Sequence, residues 1–373
     1  MKSSLVLSIA ISLSISSFII LDDASASEIG SGGSIEKGRA HDIHETITDL
    51  AVECVERSVD LPNDCSDLHP EIGKRVTEDR REDVLTLSYA SRWPDDPQRI
   101  LDQSVTQIRF GLPLLEGCKT ALEAGTAINR TGLLCASHFG RLQFMHAMMS
   151  PEAPADYEDQ RSLILAWADF AFRAGTDASF AYKDYCATIA ELTNEDLRRA
   201  LTFDNADAEE GSFCKPRRHP VFLWRTYPPW KVSTLFSFSC EEPVNLGTCG
   251  VVSEIVARQA AQGAIVHLIQ DSYSQSHASR SPDGSTLPAR GPFDPQVVCS
   301  PPRAFYVYQD QVGETDVHKP ADAVPSLHEN CLAEDRSIDD VVTASAKAIY
   351  FMRNSDRDAF LVFLEEAVFP PID

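Results

Sequence analysis

Three potential metal ligands fall within one short apolar segment of this chain. Between Gly263 and His277, the residues His267, Asp271 and His277 follow the spacing HxxxDxxxxxH. Residues four apart lie one turn above each other on a helix, so His267 and Asp271 can bind one ion or two adjacent ions. An unbroken helix would carry His277 about 15 Å beyond His267 and roughly 80° around the axis. The polar residues 272–276 are therefore predicted to turn the chain back.

A buried, hydrogen-bonded and inert histidine on an amphipathic helix is the alternative interpretation of this segment. The neighbours of the two central ligands are apolar, namely Ile265, Val266, Leu268 and Ile269. An imidazole and a carboxylate buried unpaired among them would cost on the order of several kcal/mol. This cost favours a metal-binding or catalytic role.

The motif resembles the signature of the zinc-dependent phospholipases C and the related zinc-dependent single-strand-specific nucleases, which share one largely helical fold. The resemblance implies further ligands in a fixed order along the chain. A histidine opens the first helix of the family, and His44 fits it, with His41 three residues earlier on a similar face. An aspartate shortly after a tryptophan comes next, and Asp95 follows Trp93 by two residues.

The later ligands of the family also have counterparts. The family next has a histidine before a helix, and this chain offers His138 and His146, eight residues apart and roughly on one predicted helical face. Both remain candidates. After the central motif the family has a histidine followed four residues later by a carboxylate, and His318 and Asp322 supply that pair, with His328 as an alternative ligand.

Two features of the chain depart from the family. Mature family members begin with a tryptophan that helps to bind one metal, whereas this chain has no tryptophan before Trp93. Either His41 substitutes for it, or the third metal is weakly held or absent. Asp95 and His138 lie 43 residues apart, which is longer than the family's interval and predicts an insertion between them.

The resemblance implies two or three Zn²⁺ ions as cofactors. Asp95, His138 or His146, His267 and Asp271 would bind one side of the cluster. His277, His318 and Asp322 would bind the second ion. His44 would bind the third ion. Asp95 would also orient or deprotonate the attacking water, as a catalytic residue.

The implied function is that of an exported zinc-dependent phosphodiesterase, which uses a metal-activated water to hydrolyse a phosphodiester in single-stranded nucleic acid or a phospholipid headgroup. A non-catalytic secreted binding or structural module with the same fold is the alternative. A nuclease would stack a base on aromatic side chains, whereas a phospholipase would offer a broader apolar rim. Candidates for either surface are Phe222, Trp224, Tyr227, Trp230, Phe236 and Phe238, although packing within a loop is the more common role of such aromatics.

The N-terminus predicts export. Lys2, an apolar stretch over residues 5–21 and the small residues 24–26 form a secretory signal over residues 1–26. An uncleaved membrane anchor is the alternative. The protein is therefore expected to be secreted or periplasmic.

All ten cysteines follow this signal, and an even number in an oxidising compartment predicts disulfides. The short-range candidates are Cys54 with Cys65, Cys118 with Cys135, and Cys240 with Cys249.

The net charge of −23, from 56 acidic and 33 basic residues, argues against tight binding to duplex DNA. It permits phosphodiester hydrolysis, because bound divalent cations reverse the local field. At most transient contact with a membrane is expected.

Periodicity predicts one all-α domain over residues 41–373, after a Gly/Ser-rich flexible arm at 27–40. Helical patterns begin at His44 and recur at 84–90, 143–149, 163–172, 251–271 and 341–364, and period-two patterns are scarce. Residues 215–230 and 281–302 are predicted to be long, disulfide-pinned loops of a phospholipase C/nuclease-type domain.

Overall fold

Helices make up most of the part of the chain that the structure describes. This computed structural model describes residues 43–75, 86–95, 118, 133–152, 156–202, 214–218, 226–236, 254–274, 276–280, 300–311 and 339–372. The strands in these ranges form two short antiparallel pairs, β1 (Arg217–Arg218) with β2 (Thr226–Tyr227) and β3 (Ala278–Ser279) with β4 (Ala304–Phe305). The all-α class is therefore confirmed for the described residues.

The helices are numbered along the chain. They are α1 (Ile43–Arg57), α2 (His69–Arg75), α3 (Leu87–Ser91), α4 (Leu133–Phe139), α5 (Tyr157–Thr176), α6 (Ala178–Ala181), α7 (Tyr185–Ala190), α8 (Glu195–Leu201), α9 (Val232–Leu235), α10 (Glu254–Ser272), α11 (Tyr308–Gln311), α12 (Val341–Arg353) and α13 (Arg357–Phe363). Short 3-10 turns lie at Ser66–Leu68 and Gln143–His146, and a π-helical turn lies at Leu364–Val368.

Helix α10 is the central element of the core. It packs against α3, α5 and α12, and α1 in turn packs against α3 and α12. From Gly263 to Ser272 every residue of α10 is buried. The neighbouring helices enclose this stretch on all sides, so the polar residues of its C-terminal turns are removed from solvent.

A close backbone contact fixes α3 against α10. A Cβ atom at Gly263 would lie 2.1 Å from the carbonyl oxygen of Ala90, so only glycine allows this approach. The contact places Ser91, at the end of α3, and Asp95, four residues later, beside the C-terminal half of α10.

Two of the predicted helices differ from the structure. Residues 143–149 do not form an α-helix, because the 3-10 turn Gln143–His146 ends at Ala147, whose φ of 50° is left-handed. The segment 341–364 is two helices, because Ser355 at φ 53° closes α12 and the Asp356 side chain then caps α13 by accepting from the Ala359 amide. The predictions near α1, α5 and α10 are confirmed, with shifted ends.

Three disulfides connect the described residues. Cys54–Cys65 and Cys118–Cys135 confirm two of the predicted pairs. The Cys186–Cys214 disulfide was not predicted, because its partners lie 28 residues apart. Cys240 and Cys249 lie outside the described residues. These disulfides fit an oxidising compartment.

No helix in the described ranges combines the length and apolarity that a membrane crossing requires. The predicted signal and flexible arm lie outside those ranges.

Two of the aromatic candidates for a substrate surface belong to the core. Trp230 is buried against Tyr185, and Phe236 is buried with its ring centroid 5.0 Å from that of Trp93. The packing interpretation therefore holds for these two residues. Phe222, Trp224 and Phe238 lie outside the described residues, and only the backbone of Tyr227 is described.

Candidate metal centre

Seven of the predicted ligands meet at the C-terminal end of α10. We call this group the histidine–aspartate cluster; it consists of His44, Asp95, His138, His146, His267, Asp271 and His277. The other four candidates, His41, His318, Asp322 and His328, lie outside the described residues. Asp95 is the most exposed member, with 28 % of its side chain accessible, whereas His267 is 1 % accessible. The cluster therefore meets solvent at Asp95.

Helix α10 supplies the centre of the cluster. Asp271 Oδ2 lies 2.9 Å from Nε2 of His267, one turn earlier, as the HxxxD spacing predicts. From α1, His44 stacks on His267 with 4.1 Å between ring centroids. Three ligands thus converge from only two helices.

The predicted return of the chain to the cluster is present. The Ser274 amide donates to the Asp271 carbonyl and the His277 amide to the Ser274 carbonyl, which turns the backbone at the end of α10. Arg280 then donates to the Ser272 carbonyl, so a cation caps the helix C-terminus. His277 Nδ1 consequently lies 3.5 Å from Asp271 Oδ2.

His138 and His146, the two alternative ligands predicted from the sequence, both lie in the cluster. His138 lies in the last turn of α4 and His146 in the 3-10 turn, so the prediction that they share one helical face is wrong. Their ring centroids are nevertheless 4.6 Å apart. His138 Nε2 lies 3.6 Å from Asp95 Oδ1, whereas His146 Nδ1 lies 2.9 Å from Asp271 Oδ2.

One group of donors has the spacing of a metal site. Nδ1 of His146 lies 3.2 Å from Nε2 of His267, and these two atoms lie 4.0 and 3.8 Å from Asp95 Oδ1. A tetrahedral ion with bonds of about 2.0–2.2 Å holds its ligand atoms about 3.3–3.6 Å apart. The three donors therefore need shifts of only a few tenths of an ångström to bind one ion. His146 Nε2, on the opposite side of that ring, is buried without a hydrogen-bond partner among the described residues.

A second group of donors shares a ligand with the first. It consists of His44, His267 and Asp271, and the shared ligand is His267, whose single free lone pair on Nε2 can bind only one ion. Asp271 Oδ1 lies 3.4 Å from His44 Nε2, while Oδ2 faces His267 and His146. The two oxygens of one carboxylate thus face two different sets of nitrogens, which is the arrangement of a bridging ligand. These buried groups can hold a metal ion.

Hydrogen bonds to oxygen atoms fix the orientation of four of the imidazoles. The Nδ1 atoms of His44, His138, His267 and His277 lie 2.7–2.9 Å from Gln270 Oε1, Leu134 O, Ser91 O and His146 O respectively. A carbonyl oxygen only accepts, so each Nδ1 carries the hydrogen and Nε2 holds the lone pair in the neutral ring. Metal-binding histidines show this pattern, because the outer hydrogen bond orients the ring and increases its basicity.

The lone pairs would repel the carboxylates that they face. Protonation of His267 relieves this repulsion: burial lowers the pKa of His267, but the charges of Asp271 and Asp95 outweigh burial and raise it to about 9. Burial and the charge of His138 lower the pKa of His146 to about 4. Burial raises the pKa of Asp271, but His267 and His277 outweigh burial and hold it well below its usual value. Divalent cations bound among these groups would satisfy the carboxylates and the neutral imidazoles together.

Comparison with known proteins identifies no relative of this chain: no family model, no curated protein and no solved structure matches it. These comparisons therefore do not identify a superfamily for the chain.

Sequence reasoning missed the outer partners of the cluster. The position of Gln270 could have indicated its role, since it is a polar residue between apolar Ile269 and the ligand Asp271. The sequence could not indicate the roles of the carbonyl oxygens of Ser91 and Leu134, because every residue has a backbone carbonyl.

Proposed function

We propose that this protein is an exported zinc-dependent phosphodiesterase. The observation that carries the proposal is the position of Asp271, a buried carboxylate with histidine nitrogens beside each of its oxygens. Phosphodiesterases with two adjacent ions use such shared ligands to hold the ions close together.

The donor set supports zinc over harder cations. Five imidazoles and two carboxylates surround the site, and imidazole suits zinc, whereas calcium and magnesium prefer oxygen donors. Zinc at this position would ionise a water near neutral pH and stabilise the negative charge of a phosphodiester.

Asp95 is the residue that we assign to the attacking water. Its carboxylate is the most exposed of the cluster, and its Oδ1 atom lies within 4.0 Å of nitrogens of His138, His146 and His267. Burial raises the pKa of Asp95, but the charges of the neighbouring histidines outweigh burial and lower it. The group is therefore an ionised acceptor that can orient a water at the mouth of the cluster.

The substrate is a phosphodiester of single-stranded nucleic acid or of a phospholipid headgroup. The experiment assays the purified protein on an activated phosphodiester, on single-stranded DNA and RNA, and on phosphatidylcholine, with and without a chelator. We expect the chelator to abolish hydrolysis of the activated ester and added zinc to restore it. Cleavage of single strands would identify a nuclease, and release of a phosphorylated headgroup a phospholipase C.

Zinc content is measured on the same samples to interpret a negative result. Inactivity on all substrates with zinc bound would contradict the phosphodiesterase and favour a secreted binding module. Absence of bound zinc would contradict the metal site itself.

A further inference from the structure

We infer that Gln270 is a positioning residue that fixes the tautomer of His44 and thereby prepares its Nε2 atom for a metal ion; the inference rests on the proposed zinc site. Gln270 is 2 % exposed and lies on α10 directly before Asp271. Its Oε1 atom lies 2.7 Å from His44 Nδ1, and its Nε2 atom lies 3.0 Å from Thr48 Oγ1.

The donor and the acceptor of each hydrogen bond around Gln270 can be assigned in only one way. Thr48 uses its hydroxyl hydrogen on the carbonyl oxygen of His44, 2.7 Å away, one turn earlier on α1. Its oxygen must then accept from the amide nitrogen of Gln270. This fixes the orientation of the amide, so Oε1 faces His44 Nδ1, which must carry a hydrogen.

The consequence for His44 is a defined chemical state. With hydrogen on Nδ1, the neutral ring presents the lone pair of Nε2 to Oδ1 of Asp271, 3.4 Å away. The chain of hydrogen bonds thus begins at the Nδ1–H group of His44, passes through Gln270 and Thr48, and ends at the backbone carbonyl of His44, which accepts from Thr48. Gln270 and Thr48 hold the ligand ready before any ion arrives.

His44 differs in this respect from three other histidines of the cluster. Their Nδ1 atoms donate to backbone carbonyls of Leu134, Ser91 and His146, which substitution cannot remove. The Nδ1 partner of His44 is a side chain. The role of an outer hydrogen bond can therefore be tested at Gln270 with the ligand itself unchanged.

The test compares Gln270→Leu with Gln270→Glu. Leucine removes both hydrogen bonds at similar volume, whereas glutamate keeps an acceptor for His44 and loses only the donor to Thr48. Zn²⁺ affinity is measured by titration against a competing chelator, and the visible spectrum of the Co²⁺-substituted protein reports the ligand set. The hydrogen on His44 Nδ1 is followed by ¹⁵N NMR.

We expect Gln270→Leu to weaken one of the bound ions by about 10–100-fold, as substitutions of outer partners of metal ligands do. Gln270→Glu should keep the metal affinity within about tenfold of that of the original protein, because a carboxylate accepts the hydrogen bond of a metal-bound imidazole as well as an amide oxygen does. Thr48→Val should have an intermediate effect, since the amide is then free to reverse and to switch the tautomer.

Gln262→Leu is the matched control. Gln262 lies on the same helix and donates to the Gly175 carbonyl, away from the cluster. We expect its substitution to leave both metal affinities and the Co²⁺ spectrum unchanged. Metal affinities in Gln270→Leu equal to those in Gln262→Leu would overturn the role of Gln270. Failure of the original protein to bind any divalent ion would instead overturn the proposed zinc site.

Discussion

Asp271 Oδ2 lies 2.9 Å from the Nε2 atom of His267, one turn earlier in the buried C-terminal half of α10. Because the Nδ1 hydrogen of His267 is used on the carbonyl of Ser91, this contact needs either a second ring proton or a shared cation. Two buried side chains on one helix thereby define a position where positive charge is required.

Asp271→Asn tests that requirement. The amide keeps the size of the side chain but removes one of the two negative charges that balance the histidines. We expect the zinc content, measured by atomic absorption, to fall by at least one ion per chain, together with loss of most of the zinc-induced rise in melting temperature. A bound ion at about 1,000 times its dissociation constant contributes about 4 kcal/mol to stability.

Asp169→Asn provides the control for Asp271→Asn. Asp169 pairs with Arg357 at the surface, outside the cluster. Its substitution should leave zinc content unchanged. Full zinc stoichiometry in Asp271→Asn would contradict the bridging assignment.

His138 and His146 should differ in how much they contribute to zinc binding. His146 Nδ1 lies within 3.2 Å of both Asp271 Oδ2 and His267 Nε2, whereas His138 contacts Asp95 at 3.6 Å. We therefore expect His146→Ala to lose one ion and His138→Ala to lose only about tenfold in affinity, the effect of a ligand's outer partner. Equilibrium dialysis of both variants against zinc measures this. The reverse order would make His138 the ligand.

The sequence predicted the contacts that depend on helical spacing. His267 and Asp271 meet because residues four apart share a helix face. His277 was predicted to turn back to them because an unbroken helix of ten further residues would have carried it away from His267. It also predicted that His44 and Asp95 would join them, from their order in a resembling family.

The sequence could not predict the contacts that depend on backbone geometry. His146 reaches the cluster through a 3-10 turn that ends at the left-handed Ala147, and the apolar pattern of residues 143–149 is equally compatible with an α-helix. The approach of α3 depends on Gly263, and a glycine within a helical pattern does not reveal its partner. Such features need the packed structure.

Gly263→Ala tests the link between packing and the cluster. The added Cβ would meet the backbone of Ala90 at 2.1 Å, so α3 must move and take Ser91 and Asp95 with it. Overpacking of a core costs about 1–3 kcal/mol. We expect a loss of unfolding free energy of at least that size, measured by urea denaturation, and weaker zinc binding.

Gly175→Ala is the comparison for Gly263→Ala. Its Cβ would meet Cγ of the flexible Gln262 side chain at 2.7 Å, and backbone atoms only at 3.2 Å. This variant should lose less stability and keep its zinc affinity. A zinc affinity in Gly263→Ala equal to that of the original protein would show that α3 does not position the cluster.

Asp340 should make the stability of the fold depend on pH. Its carboxylate accepts from His69 Nε2 at 2.9 Å and from the amides of Val342 and Thr343, which begin α12. Burial raises the pKa of Asp340, but the hydrogen bond and charge of His69 outweigh burial and lower it below its usual value of 3.8. The folded state therefore binds the Asp340 proton less tightly than the unfolded state does.

This difference stabilises the fold above pH 3.8, and the stabilisation is lost as the pH falls below that value towards the lower pKa of the folded state. Asp340→Asn keeps an oxygen for capping α12 but loses the charge beside His69. We expect it to cost about 1.5–3 kcal/mol at pH 7, the contribution of a hydrogen bond to a charged group. Urea denaturation of both proteins from pH 7 to pH 3 measures the difference, which should shrink as the pH falls below 3.8 because the Asp340 carboxylate of the unfolded state then takes up a proton before that of the folded state does. A difference that stays constant or grows over this range would show that the charge of Asp340 does not stabilise the start of α12.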